Sequence, residues 1–371
     1  MNFYGQFFLV DATASVKMTL GCHGVIIRPM IRSAEINQHE PLASPVKAVS
    51  VHRAFAYSAS APGLGEFYAG RRIQGLVTGF FFLAAMVWFS GSLYLIADGL
   101  MDRFMAGLEG RTPAMTSDLP LWGLATAFGA LYLLWLWAII AAVNTAGQYR
   151  CRHGLPAQTS VFWAVAISWV CPGAGHVYTG SNRYGYMLFA ANLLALVLLV
   201  PAYLQLYQSL SALIDNPALS PNNPYKIIGV IHELMLRLDY SFGSLFQASV
   251  RYTAIAGAIV DLRQGPLKED DRWIRTSMPY GLALLGLGWL CPGSGQLLQK
   301  RYTTGWTILA VYIGSKCVTG FLLAHDFIAV STADTLEWAS MIIQWGAMLE
   351  AVLRMKKMNV KPSRGGQASN A

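Results

Sequence analysis

Six stretches of this 371-residue chain read as apolar runs: 75–97, 121–143, 185–206, 242–260, 305–324 and the shorter, more broken 336–353. Each is close to the roughly 17–25 residues that a helix needs to cross a hydrocarbon core. Three moderately apolar segments, 52–61, 160–171 and 280–291, each lead into a Pro-Gly pair. Pro stops a helix and the following Gly tolerates positive φ, so each pair predicts a sharp turn after a short helix. The order then recurs. A long helix opens with Gly (Gly75, Gly185, Gly305), a polar loop follows, and a second long helix ends at a polar residue: Asn144, Asp261 or Glu350. Pro62, Pro172 and Pro292 stand 110 and 120 residues apart, and shared order at near-constant spacing argues for triplication of one unit.

The expected fold is an all-α integral membrane protein of three parallel repeats. Each repeat comprises a short re-entrant or interfacial segment, a Pro-Gly turn and two transmembrane helices. The expected boundaries are 47–153, 154–278 and 279–357. Residues 1–46 form a polar leader expected to be disordered, with a true start at Met30 as an alternative beginning. Residues 358–371 form a basic tail with the same expectation. Charged residues make up 12% of the chain, about half the share of a soluble domain, which supports the bilayer reading. Trp88, Trp122, Trp163 and Trp306 stand near run ends, as interfacial aromatic residues do.

Charge decides the topology. If all nine apolar segments crossed, Lys and Arg would divide 12 against 13 between the two sides, which is no bias. If the segments before the prolines turn back and only the six long runs cross, the division is 21 against 4, with Arg251 and Lys316 inside runs. The excess of basic residues marks the cytoplasmic side, so both termini are expected in the cytoplasm of a bacterial inner membrane. The net charge of +8 is therefore topology control and attraction to anionic lipid, not a nucleic-acid footprint. In the loop over 207–241, Ile227, Ile228, Ile231, Leu234, Met235 and Leu238 fall at helical spacing and predict a surface helix.

Pro62, Gly63, Gly65, Tyr68 and Gly70, followed by Gly75 and an apolar helix, resemble the turn of the TM-two-like (two-transmembrane-helix hairpin) family. They also resemble bacterial membrane proteins of unknown function carrying P-G-x-G-x-x-Y-x-G. The second copy matches through Pro172, Gly173, Gly175, Tyr178 and Gly180. The third keeps Pro292, Gly293 and Gly295 but has Leu298 and Lys300 for the Tyr and Gly. The resemblance implies a helical-hairpin architecture and no particular activity. The family's acidic-Arg-Phe turn signature is missing here.

Candidate chemistry is sparse. Gly63-Leu-Gly65 and Gly173-Ala-Gly175 lack the third Gly of a dinucleotide loop, and no G-K-[ST], H-E-x-x-H, G-x-S-x-G or C-x-x-C occurs. No catalytic set, cofactor or metal is expected. The residue four places after each Pro is polar (Glu66, His176, Gln296). These three either line a polar path at a common axis or cap their own turns. Five scattered cysteines, Cys22, Cys151, Cys171, Cys291 and Cys317, argue against a disulfide framework. Cys171 and Cys291 before the prolines are expected to be small packing residues, the alternative being metal ligands with His176. Asn144, Asp261 and Glu350 are expected to orient helices and bridge repeats.

Arg251 and Lys316 lie at helix centres, where a cation costs roughly 2.5–3.5 kcal/mol or more. They break the repeat pattern: Leu134 and Ser340 match Arg251, and Met86 and Leu196 match Lys316. With Asp261 and Glu350 they are the candidate site for an anion or lipid headgroup, unless they pair with those carboxylates or with backbone carbonyls. The expected function is a non-enzymatic scaffold or assembly subunit of a membrane complex; the alternative is a transporter or channel-like protein for an anionic solute or lipid. The expected partners are membrane lipids, then other membrane proteins or self-association.

Overall fold

A computed structural model describes residues 48–109, 121–156, 158, 160–214, 224–264 and 278–359. The leader over 1–46 and all but the first two residues of the tail lie outside these. The described residues are all-helical, in thirteen helices. They run α1 (Val51–Ser60), α2 (Leu64–Tyr68), α3 (Arg72–Leu108), α4 (Leu121–Arg152), α5 (Val161–Val170), α6 (Ala174–Thr179), α7 (Asn182–Ile214), α8 (Pro224–Asp239), α9 (Phe242–Gln264), α10 (Met278–Leu290), α11 (Ser294–Leu298), α12 (Tyr302–Ala324) and α13 (Val330–Asn359).

The predicted order of short helix, turn, long helix and long helix is present at all three places. The long helices overrun the apolar runs. The first continues from 97 to Leu108 and the third carries Pro201 inside it on the way to Ile214. Helix hydrogen bonding, unlike bilayer crossing, does not stop where hydropathy falls. Among the described residues, four helical stretches are long and apolar enough to cross a membrane: Arg72–Gly99, Trp122–Arg152, Asn182–Leu206 and Tyr302–Ala324. The helices α9 and α13 are long enough but more polar. The short helices α1, α5 and α10 have 10, 10 and 13 residues, fewer than a crossing needs.

The three short helices pack on the second long helices, α1 on α4, α5 on α9 and α10 on α13, while α3–α4, α7–α9 and α12–α13 pair lengthwise. One core results, centred on Leu136, Ile139, Ile140, Ile167, Ile255, Ile259 and Leu284, all fully buried. The surface is apolar too. Along α3, Ile73, Leu76, Phe80, Leu83 and Val87 are all more than half exposed and form a contiguous apolar face.

The surface helix predicted within 207–241 is α8, and its predicted stripe is split: Leu234 and Leu238 are half-buried, and the side chain of Ile227 lies outside those described. Ile228, Ile231 and Met235 are exposed, whereas Leu236 and the following Tyr240 are buried against Leu323 and Ala333. At the exposed edges of this contact, His232 pairs with Asp334 at 3.0 Å and Arg237 with Asp326 at 3.7 Å.

Candidate functional site

The turns come first, because they set the spacing of everything else. Gly63, Gly173 and Gly293 have φ of +96°, +96° and +85°, the left-handed region that favours glycine. Each is also pressed against the Gly that opens the following long helix. A Cβ on Gly63, Gly173 or Gly293 would overlap the carbonyl oxygen of Gly75, Gly185 or Gly305 respectively. This explains the paired glycines. Gly65 and Gly175, one place past the αL glycine's neighbour, let the turn helix ride on the short helix: a Cβ there would meet the Ala54 and Ala164 carbonyls. The turn ends in a second left-handed residue, Gly70 (φ +94°) or Gly180 (φ +93°). In the third copy Lys300 adopts the same conformation at φ +63°. Each turn then starts its long helix identically, with the amides of Arg71, Ser181 and Arg301 donating to the carbonyls of Glu66, His176 and Gln296.

The motif tyrosines reach backwards. The Tyr68 hydroxyl accepts from the Ser50 amide at 3.2 Å, at the start of α1. The Tyr178 hydroxyl lies 2.8 Å from His52 Nε2, whose ring stacks on Trp163, so this tyrosine ties the second turn to the first unit. Leu298 in the third copy is buried and apolar and makes no such bond.

Glu66, His176 and Gln296 are all buried, and no hydrogen bond joins any two of them. Each bonds within its own unit. His176 Nδ1 is 2.8 Å from Asp261 Oδ2, with Thr179 Oγ1 donating to the same oxygen. His176 Nε2 is buried against Gly257 and unpartnered. Gln296 Nε2 donates to Glu350 Oε2 at 3.0 Å and to the Ala347 carbonyl. Glu350 also holds Arg301 and Arg354. Glu66 accepts from Thr78 at 3.3 Å through one oxygen and leaves the other unpartnered. Burial pushes this carboxyl up to about 7. The turn residue and the polar end of the second long helix are thus clamped together in the second and third units. This is a folding role for Asp261 and Glu350.

Cys171 and Cys291 join neighbouring units. Their thiols donate to the carbonyls of Leu136 on α4 and Tyr252 on α9, both at 3.6 Å. Burial pushes both thiols up, so they stay protonated.

The two midhelix cations do come together, in a cavity of about 400 Å³ between α7, α8, α9, α12 and α13. Gln247, Arg251 and Tyr252 supply one wall, Tyr312, Lys316 and Cys317 another, and Tyr203, Asp239 and Glu337 close it. Its size is that of a small-molecule pocket. The two cations are not equivalent. Lys316 Nζ pairs with Glu337 Oε1 at 2.8 Å, lies 3.4 Å from the Tyr240 hydroxyl, and sits over that ring at 5.1 Å. Its partner is therefore neither Asp261 nor Glu350, and neither of those lines the cavity. Arg251 has no carboxylate within ion-pair distance among the described residues. Its guanidinium lies 5.8 Å from the centre of the Trp169 ring, and its Nε is buried without a hydrogen bond. Burial, then Glu337 beside it, pushes the Asp239 carboxyl up, while Lys316 pulls it down. Asn192 does not line this cavity; it is buried in α7 with both amide atoms unpaired.

A protein family described as "Family of unknown function (DUF6677)" matches residues 282–368. That span starts inside α10, ten residues before Pro292, and takes in the third turn, α12 and α13. No curated protein and no solved structure matches the chain.

Proposed function

We propose that this is a six-pass inner-membrane protein of three equivalent units, whose crevice between the second and third units binds an anionic solute or an anionic lipid headgroup. The carrying observation is Arg251: a cation at the centre of α9, on the wall of a 400 Å³ cavity, with no carboxylate partner. An unpaired cation at membrane depth is costly, and a bound anion supplies what the protein withholds. Lys316 contributes through Glu337, as half of an internal pair that ties α12 to α13.

Three features support the unit reading: the recurring αL glycine, the recurring Gly-Gly contact and the recurring thiol bond to the preceding unit. In this arrangement α3, α4, α7, α9, α12 and α13 cross, α1, α5 and α10 enter and turn back, and both termini are cytoplasmic. The exposed stripe of α8 then rests on the outer membrane face, and the cavity opens from that side. The competing reading is a ligand-free scaffold, and the internal Lys316–Glu337 pair favours it.

Native mass spectrometry of protein extracted from membranes rich in anionic phospholipid separates the two. A retained phospholipid or small anion that is lost on Arg251→Leu and kept on Arg251→Lys supports binding. A bare polypeptide, or a mass unchanged by Arg251→Leu, removes the site. Topology is tested in a cysteine-free background. Thr116→Cys should react with an impermeant maleimide in intact cells, while Arg72→Cys and Asn182→Cys should not. Reaction of Arg72→Cys from outside defeats the re-entrant arrangement.

A further inference from the structure

The units stack in a row and do not close on themselves. The second long helix of each unit packs on the turn of the next, α4 on α6 and α9 on α11. Among the described residues α13 makes no comparable contact with α1, α2 or α3. Two used interfaces therefore imply two unused halves, one at each end of the chain.

The leading half is visible at three positions of the turn. Five places before the Pro, Ile167 and Leu287 are buried but Tyr57 is 44% exposed. Two places after it, Ala174 and Ser294 are buried but Leu64 is 52% exposed. Five places after it, Val177 and Leu297 are buried but Phe67 is 45% exposed. The trailing half is the outer stripe of α13. Trp338, Ile342, Trp345 and Leu349 are 55–65% exposed and lie opposite the side that holds Gln296 and Gly288. Aligning Glu350 with Asn144 places Ile342, Trp345 and Leu349 on Leu136, Ile139 and Val143 of α4, which are 0–1% exposed. The helix carrying this stripe is not among those apolar enough to count as a membrane span.

We infer that a second copy of this chain occupies these faces, head to tail: the α13 stripe of one molecule covers Tyr57, Leu64 and Phe67 of the next. The contact repeats the packing already used twice inside the chain, with larger side chains at both faces. It is heterologous, so copies close into a ring or extend as a row in the membrane plane. This inference rests on the reading of three equivalent units.

The test is crosslinking in native membranes with a short bis-maleimide, in a cysteine-free background. Molecules carrying only Leu64→Cys are co-expressed with molecules carrying only Trp345→Cys. Crosslinked dimer is expected from the mixture and at least tenfold less from either variant alone. Dimer from Trp345→Cys alone means an isologous contact and overturns the head-to-tail arrangement, and no dimer in any sample means that lipid covers both faces. The equivalent pair within one chain, Ile139→Cys with Ala174→Cys, is fully buried and closed to the maleimide, so it reports on the unit reading through direct disulfide formation. If it bridges while the intermolecular pair does not, the units stand and self-association falls. If it does not bridge, the unit reading fails first.

Discussion

Replacing Gly173 with Ala separates the two demands made on the turn glycine. The first is conformational: an L-residue in the left-handed region costs about 1–2 kcal/mol. The second is steric, because the new Cβ would overlap the Gly185 carbonyl oxygen and lie 2.9 Å from the Phe189 amide nitrogen. The contact is backbone to backbone, so no side chain can swing aside. Overpacking of this kind adds roughly 1–3 kcal/mol, giving a total of about 2–5 kcal/mol. Gly180 supplies the control, since its φ is +93° but a Cβ there meets nothing within 4 Å. Gly180→Ala should therefore lose only about 1–2 kcal/mol. The assay is denaturant unfolding of purified protein in one detergent, followed by tryptophan fluorescence. If the three turns are physically equivalent, Gly63→Ala and Gly293→Ala match Gly173→Ala. A Gly173→Ala variant no less stable than Gly180→Ala refutes the close-approach argument.

Other consequences are sharper in sign than in size. Lys300→Gly should stabilise the protein by up to about 1 kcal/mol, since it relieves a left-handed non-glycine at an exposed site; an unchanged or lower unfolding midpoint contradicts this. Lys316→Met alone and Glu337→Leu alone should each cost about 1–3 kcal/mol, less than the roughly 3–5 kcal/mol of a fully buried pair because both side chains keep some exposure. The double variant should recover most of that loss, and additive single losses in the cycle speak against coupling. Glu66 holds its proton to about pH 7 in the folded protein but releases it near 4.5 when unfolded. Stability should thus fall as pH rises from about 4.5 to 7 and level off above, and Glu66→Gln should flatten that slope. A wild-type stability that rises across this window reverses the assignment.

The sequence was legible where the governing rules are local. Apolar runs became long helices, and each Pro-Gly pair became a left-handed turn, because chain stiffness and φ limits act over a few residues. The surface helix was legible in existence, but not its buried edge, since Leu236 and Tyr240 pack on Leu323 and Ala333 far along the chain. The candidate site was legible in half. Arg251 and Lys316 stand out by type and do share a cavity. Asp261 and Glu350 were grouped with them as carboxylates, yet Asp261 lies ten residues, about 15 Å, along α9 from Arg251. The true partner, Glu337, was open to a depth count. Lys316 is eight residues before the end of α12 and Glu337 seven after the start of α13, so an antiparallel pair brings them level. The packing faces at Tyr57, Leu64 and Phe67 could not be read at all, because their role depends on which unit lacks a predecessor.

The central claim, an outward-opening crevice whose potential is set by Arg251, has a native reporter in Cys317, which is exposed and lines the cavity. In a variant keeping Cys317 as its sole cysteine, the decisive measurement compares its reaction rate in intact cells with an anionic and a cationic thiosulfonate of similar size. The account predicts reaction from outside, a preference for the anionic reagent, and loss of that preference on Arg251→Leu. Reaction only in inside-out vesicles, or a preference for the cationic reagent that Arg251→Leu leaves unchanged, contradicts it.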